Sequence, residues 1–230
     1  MWKNQAQQFT YNLLNPLIRL FIKIGITPNM ITFFGLALNI LAGIVLLWGS
    51  EYGLRGDHSY IAWAGLIILI AGLMDMIDGR LARVSGQASK YGALYDSVLD
   101  RYSELIMFLG ICFYLVSHDY FISSVFAFIA MIGSIMVSYT RARAEGLGVN
   151  CSVGKMQRPE RILIVGISAT LCGIVSHFLG SDIKVEVDWL PIPLFETITI
   201  FTFPIFILAI WANVTALERL KFAKDKFEEM

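Results

Sequence analysis

Charge is what this chain has least of. Asp, Glu, Lys and Arg together make up 16% of its 230 residues, against about 25% in soluble globular domains. Acids and bases cancel at 18 each, a balance that says little by itself, and no nucleic-acid partner is expected. Cysteine is almost missing: Cys112, Cys151 and Cys172 are odd in number and lack metal-type spacing, so neither a disulfide framework nor a thiolate metal site is implied. There is no internal repeat and no low-complexity segment. The first 25 residues lack the compact apolar stretch and small-residue cleavage site of a signal peptide.

What fills the chain instead is apolar. Hydrophobic residues account for 57%, against about 45–50% in soluble domains, and the mean hydropathy is +0.66. A water-soluble core of this size cannot hide so much apolar surface. Five runs stand out: Met30–Ser50, Tyr60–Met74, Tyr120–Thr140, Ile162–Ser181 and Thr197–Leu217, with a shorter sixth at Leu105–Ser117. Crossing the hydrocarbon takes about 20 helical residues. The second run must therefore extend to Gly79 and the short one must begin near Val98. The fold expected is an all-α polytopic membrane protein with six transmembrane helices. Phe9, Leu13, Leu14, Leu17, Ile18, Phe21 and Ile22 recur at helical spacing, which adds an N-terminal interfacial amphipathic helix bent at Pro16. The expected organisation is a juxtamembrane helix over 1–26, a six-helix domain over 27–218, and a charged, solvated helical tail over 219–230.

Basic residues set the orientation. With both termini on one side, that side carries every Lys and Arg except Arg55 and Lys184. Glu51, Asp57, Asp119, Asp182, Glu186 and Asp188 gather on the other. The termini are expected in the cytoplasm and the chain in the cell (inner) membrane.

Four aspartates sit at the cytoplasmic ends of two spans: Asp75 and Asp78 at i,i+3, then Asp96 and Asp100 at i,i+4. Each pair shares a helix face. A carboxylate costs roughly 2.5–3.5 kcal/mol at a helix centre in the bilayer, less near the interface. Helix capping or pairing with Arg80, Arg83 and Arg101 explains one such residue well and four at facing spacings poorly. Oxygen ligands of this kind suit a hard divalent cation, which brings substrate phosphates with it. Gly79, Ala82 and Gly92 leave room beside them.

The run Asp75-x2-Asp78-Gly79-x2-Ala82-Arg83-x8-Gly92-x3-Asp96-x3-Asp100 resembles, without departure, the signature of the CDP-alcohol phosphotransferases. The resemblance implies a six-span fold and a reaction in which an alcohol attacks a CDP-linked lipid and CMP leaves. It also implies Asp75, Asp78, Asp96 and Asp100 around Mg²⁺ (or Mn²⁺), with Asp100 serving as the base as well. Gly79, Arg83 and Ser89, with Thr27, Pro28, Asn29 and Met30, would hold the CDP-lipid. A homodimer is implied as well.

A second constellation, Ser138 to Glu145 followed by Gln157 to Arg161, places Arg141, Arg143, Arg158 and Arg161 around one loop beside the aspartates. Positive-inside anchoring accounts for Lys224 or Lys226 but less well for four guanidiniums together, which suit phosphate oxygens. The donor's pyrophosphate already has the metal, so this group suits an acceptor that carries its own phosphate. The stretch is similar to the corresponding segments of bacterial phosphatidylinositol phosphate synthases, though actinobacterial members carry Lys at the position of Arg141. The function expected is transfer of the phosphatidyl group of CDP-diacylglycerol to inositol 1-phosphate. Glycerol 3-phosphate as acceptor (a phosphatidylglycerophosphate synthase) is the alternative, then free inositol. A divalent-cation transporter is opposed by the lack of ionisable residues continuing the path outward, Glu196 apart.

Overall fold

A computed structural model describes residues 15–179, 183–185 and 195–229. Phe9, Leu13 and Leu14 of the expected interfacial helix lie outside these residues, as do Asp182, Glu186 and Asp188. A first helix, α1, occupies residues 15–23. The long helices follow as α2 (Pro28–Tyr52), α3 (Ser59–Val84), α4 (Lys90–Ser117), α5 (Phe121–Gly146), α6 (Arg158–Leu179) and α7 (Thr199–Glu228). Between α6 and α7, β1 (Lys184–Val185) and β2 (Phe195–Glu196) form a two-residue antiparallel pair, too short for any strand pattern to show in the sequence.

The helix starts follow local chemistry. Thr27 is extended and caps α2, its hydroxyl accepting from Met30 N at 3.4 Å, with Pro28 pre-setting the first turn. Ser89 caps α4 by accepting from Gly92 N at 2.9 Å. That cap corrects the expected start near Val98: α4 begins at Lys90 and reaches 28 residues, about 42 Å at 1.5 Å per residue. α3 likewise runs past Gly79 to Val84. The two aspartate-bearing ends are therefore regular helix.

Among the described residues, five helices are long and apolar enough to cross a membrane: α2, α3, α5, α6 and α7. α4 has the length, but Lys90, Asp96, Asp100, Arg101 and Glu104 crowd its first half. Exposed apolar side chains such as Trp48, Trp63, Phe113 and Phe178 cover the outer surface, as expected where lipid replaces water as the surroundings. Inside, α2 packs on α3 and α4, α3 on α6, and α5 on α7, around Ala42, Ile61, Phe108, Ala130, Val165 and Leu208. α1 rests on the α2–α3 pair through Ile18, Ile31, Ile77 and Leu81, and Arg80 donates to Asn15 Oδ1 at 2.7 Å.

The α3–α6 contact is close because Gly65 faces α6. A Cβ there would lie 2.6 Å from Ala169 Cβ, 2.7 Å from Thr170 N and 2.8 Å from Gly166 O. Two of these are backbone atoms, so the helices would have to separate. Gly65→Leu should destabilise the fold by about 1–3 kcal/mol or more, read as a lower melting temperature in detergent. An unchanged transition would contradict this packing.

The expected boundary at residue 218 falls inside α7, which continues unbroken to Glu228. One face of the first turn beyond it is packed, while Leu220 and Lys221 are exposed. Arg219 is buried and donates through Nε to Val153 O and through Nη1 to Val137 O, both at 2.7 Å. Ala223 packs against Ala144 and Cys151. Only from Lys224 onward does the helix meet solvent on every turn.

Candidate active site

α3 and α4 deliver the aspartates to one place. Asp75, Asp78 and Asp96 each direct a carboxylate oxygen so that the three atoms lie within 4.8 Å of one another. Three carboxylates this close repel strongly unless positive charge lies among them, and an all-oxygen donor set fits a hard divalent cation. Asp78 is the most enclosed, at 5% exposure, and is oriented by Thr32 of α2, whose hydroxyl lies 2.8 Å from its Oδ2.

Asp100 stands one turn beyond Asp96, outside that group. Its Oδ1 lies 2.9 Å from Arg158 Nη1 and its Oδ2 lies 3.6 Å from Arg101 Nη1. The same Arg158 Nη1 touches Asp75 Oδ2. A guanidinium from the start of α6 thus joins a member of the triad to the fourth aspartate.

Beside the carboxylates lies a cleft of about 220 Å³. Pro28, Asn29 and Thr32 form one wall, Asp78, Gly79 and Arg83 another, and Ser89, Gly92 and Asp96 the third, closed by Gln87 and Ala88 of the α3–α4 turn. Gly92 keeps it open, since a Cβ would lie 3.1 Å from Ser89 Oγ and 3.5 Å from Asn29 Oδ1. Of the residues expected at a CDP-lipid, Pro28, Asn29, Gly79, Arg83 and Ser89 line this cleft. Thr27 and Met30 do not: Thr27 caps α2, and Met30 is 56% exposed. Thr32, Gln87 and Ala88 are additions. Thr32 lies three residues after Asn29 on the same helix face, a spacing that marks it in the sequence.

The four expected arginines take different partners. Arg141 is exposed and pairs with Glu145 at 2.8 Å, and Arg143 is exposed. Arg161 is fully buried, its Nε and Nη2 each 2.7 Å from Glu104 Oε1 and its Nη1 3.1 Å from Met156 O. Arg158 turns to the aspartates. Arg219, which reads in the sequence as the start of a basic tail, comes instead close enough to Arg141 and Arg161 that their charges oppose its own. Arg161 opposes the charge of Arg158 in the same way, so the basic residues run from Arg158 through Arg161 to Arg219 and Arg141, drawn from α5, α6 and α7. Helix packing brings Arg219 there, and no local pattern announces it.

A model of the CDP-alcohol phosphatidyltransferase family matches residues 25–217. The phosphatidylinositol phosphate synthase of Mycobacteroides abscessus is 32% identical over 160 residues, 69% of this chain and 69% of that protein. The archaetidylinositol phosphate synthase of Pyrococcus horikoshii is 36% identical over 148 residues, 64% of this chain and 70% of that protein. The fold matches the crystal structure of Mycobacterium tuberculosis phosphatidylinositol phosphate synthase with CDP-DAG bound. The TM-score is 0.72 at 23% identity, covering 92% of this chain and 94% of that one.

Proposed function

This chain belongs to the CDP-alcohol phosphatidyltransferase family, and from that premise we propose that it transfers the phosphatidyl group of CDP-diacylglycerol to inositol 1-phosphate, forming phosphatidylinositol phosphate and CMP. The observation that carries the acceptor is the basic group. Arg141 and Arg161 both oppose the charge of Arg219, and these three guanidiniums share two carboxylates, Glu145 and Glu104. Such a group calls for an anion of its own, and an acceptor bearing a phosphate supplies it. Both named relatives make an inositol phosphate lipid while differing in the lipid portion, which agrees with an acceptor site of this chemistry. Glycerol 3-phosphate would satisfy the same arginines and is the alternative acceptor.

Asp75, Asp78 and Asp96 would hold Mg²⁺ or Mn²⁺, which when bound neutralises pyrophosphate charge. Thr32 keeps Asp78 turned toward that position. Asn29, Arg83, Ser89 and the open backbone at Gly79 and Gly92 receive the nucleotide end of the donor. Thr27 fixes the start of α2, and Met30 is exposed beside it. Asp100 accepts the proton of the acceptor hydroxyl; the freed oxygen attacks the phosphorus bearing diacylglycerol, and the bond to CMP breaks.

α4 completes a six-span bundle in the cell (inner) membrane, with α1 on the cytoplasmic leaflet, both termini cytoplasmic and the cleft open to that side. The excess of Lys and Arg on that side supports this orientation. The enzyme is a homodimer on the same reading.

Arg141→Ala tests the acceptor site most cleanly, because Arg141 is exposed and its loss leaves no buried charge behind. Loss of a charge-assisted hydrogen bond is worth roughly 1.5–3 kcal/mol, so KM for inositol 1-phosphate should rise about 10- to 150-fold. KM for CDP-diacylglycerol should change far less. An unchanged acceptor KM would take Arg141 out of the acceptor site.

A further inference from the structure

Sequence position groups Arg158 with Arg161, but the two side chains take different partners. Arg161 points to Glu104, while Arg158 Nη1 contacts Asp75 Oδ2 and lies 2.9 Å from Asp100 Oδ1. One nitrogen touching both carboxylates puts the guanidinium between a ligand oxygen of the triad and the base. In the phosphatidyl transfer proposed above, the phosphorus under attack must occupy that same interval. Its oxygens would turn toward the cation that Asp75, Asp78 and Asp96 would hold, and the incoming hydroxyl toward Asp100.

Arg158 is equipped for that place. A guanidinium carries five N–H donors in a fixed plane. Nη1 is engaged by the two aspartates, whereas the buried Nε has no hydrogen-bond acceptor among the described residues. The side chain is only 16% exposed, so its charge acts with little screening by water. Its position is also secured. Pro159 stiffens the first turn of α6, and the preceding loop is tied by Arg161 Nη1 to Met156 O at 3.1 Å and by Met156 N to Thr215 Oγ1 at 3.4 Å.

We propose that Arg158 is a catalytic residue that donates to the oxygens of the transferring phosphoryl group, not a holder of the acceptor's phosphate. The inference rests on the transfer reaction above. The hydroxyl proton goes to Asp100, and the hydroxyl oxygen's electron pair forms the new P–O bond. The pair of the breaking P–O bond leaves with CMP. As Asp100 takes up the proton it releases its hold on Arg158, while the phosphoryl and leaving oxygens need more positive charge. The interaction therefore strengthens toward the transition state, the condition for raising kcat rather than binding.

The test is CMP release by purified full-length protein with CDP-diacylglycerol and whichever phosphorylated acceptor the wild type uses best, alongside Mn²⁺ binding by calorimetry. Arg158→Gln should lower kcat by ~10²–10³-fold, as for loss of a donor used in the transition state, with both KM values little changed. Arg158→Lys should recover part of that loss, since it keeps the charge without the fork. Both variants should bind Mn²⁺ at least as tightly as the wild type, because the guanidinium no longer shares Asp75. A raised acceptor KM with kcat retained would return Arg158 to the acceptor site, and lost Mn²⁺ binding would make its role structural; either overturns the proposal. A wild type that binds Mn²⁺ yet releases no CMP with any acceptor would bring down the function beneath it.

Discussion

Asp100→Asn should lower turnover by about 10²–10⁴-fold, the usual scale for losing a general base, while leaving CDP-diacylglycerol binding largely in place. The amide has the size and shape of the carboxylate but cannot accept the hydroxyl proton. The donor cleft is built from α2, the end of α3 and the first turns of α4, and Asp100 is not among its lining residues. Nor does Asp100 belong to the group of three carboxylates that lie within 4.8 Å of one another. Its partners are Arg158 and Arg101, and an amide oxygen still accepts from either. Steady-state CMP release with equilibrium binding of the CDP-lipid separates the two effects. Turnover close to wild type would remove Asp100 from the chemistry, and loss of donor binding in step with turnover would make it a ligand of the donor site instead.

Asp75→Ala and Asp78→Ala should each abolish transfer, for partly different reasons. Both remove an oxygen from a set of three, and even residues that only hydrogen-bond to a metal's ligands are typically worth about 10–100-fold, so losing a ligand should exceed that. Asp78→Ala also leaves Thr32 without the acceptor 2.8 Å away. Asp75→Ala additionally frees Arg158 from one of its two carboxylates. Chelation with EDTA should reproduce both losses in the wild type, and added Mg²⁺ or Mn²⁺ should restore activity to the wild type alone. Full turnover in excess EDTA would contradict the cation site.

The aspartates are legible in the sequence because their chemistry demands fixed intervals: i,i+3 on α3 and i,i+4 on α4 are statements about one helix each. The caps are legible for the same reason. Ser89 marks the true start of α4, and a search for apolar runs passes over it because Lys90, Asp96, Asp100, Arg101 and Glu104 come before the apolar stretch. Partners across the bundle are a different matter. Glu104 and Arg161 are 57 residues apart, and nothing local distinguishes a buried paired arginine from an exposed one such as Arg141. Arg219 sits among Lys221, Lys224 and Lys226 and reads as anchoring until α7 is docked on α5 and its guanidinium reaches Val137 O and Val153 O. Arg158 and Arg161 lie one turn apart on α6, yet they serve α4 at two heights, one at Asp100 and one at Glu104. The helices could be read from local pattern; the assignment of the arginines needed the packing.

The most direct measurement is product identification by mass spectrometry after incubating the purified protein with CDP-diacylglycerol and Mg²⁺ in the separate presence of inositol 1-phosphate, inositol, glycerol 3-phosphate and serine. Phosphatidylinositol phosphate together with stoichiometric CMP from inositol 1-phosphate, with far less turnover from the other three, is the expected result. Equal use of free inositol, or phosphatidylglycerophosphate as the dominant product, would contradict it.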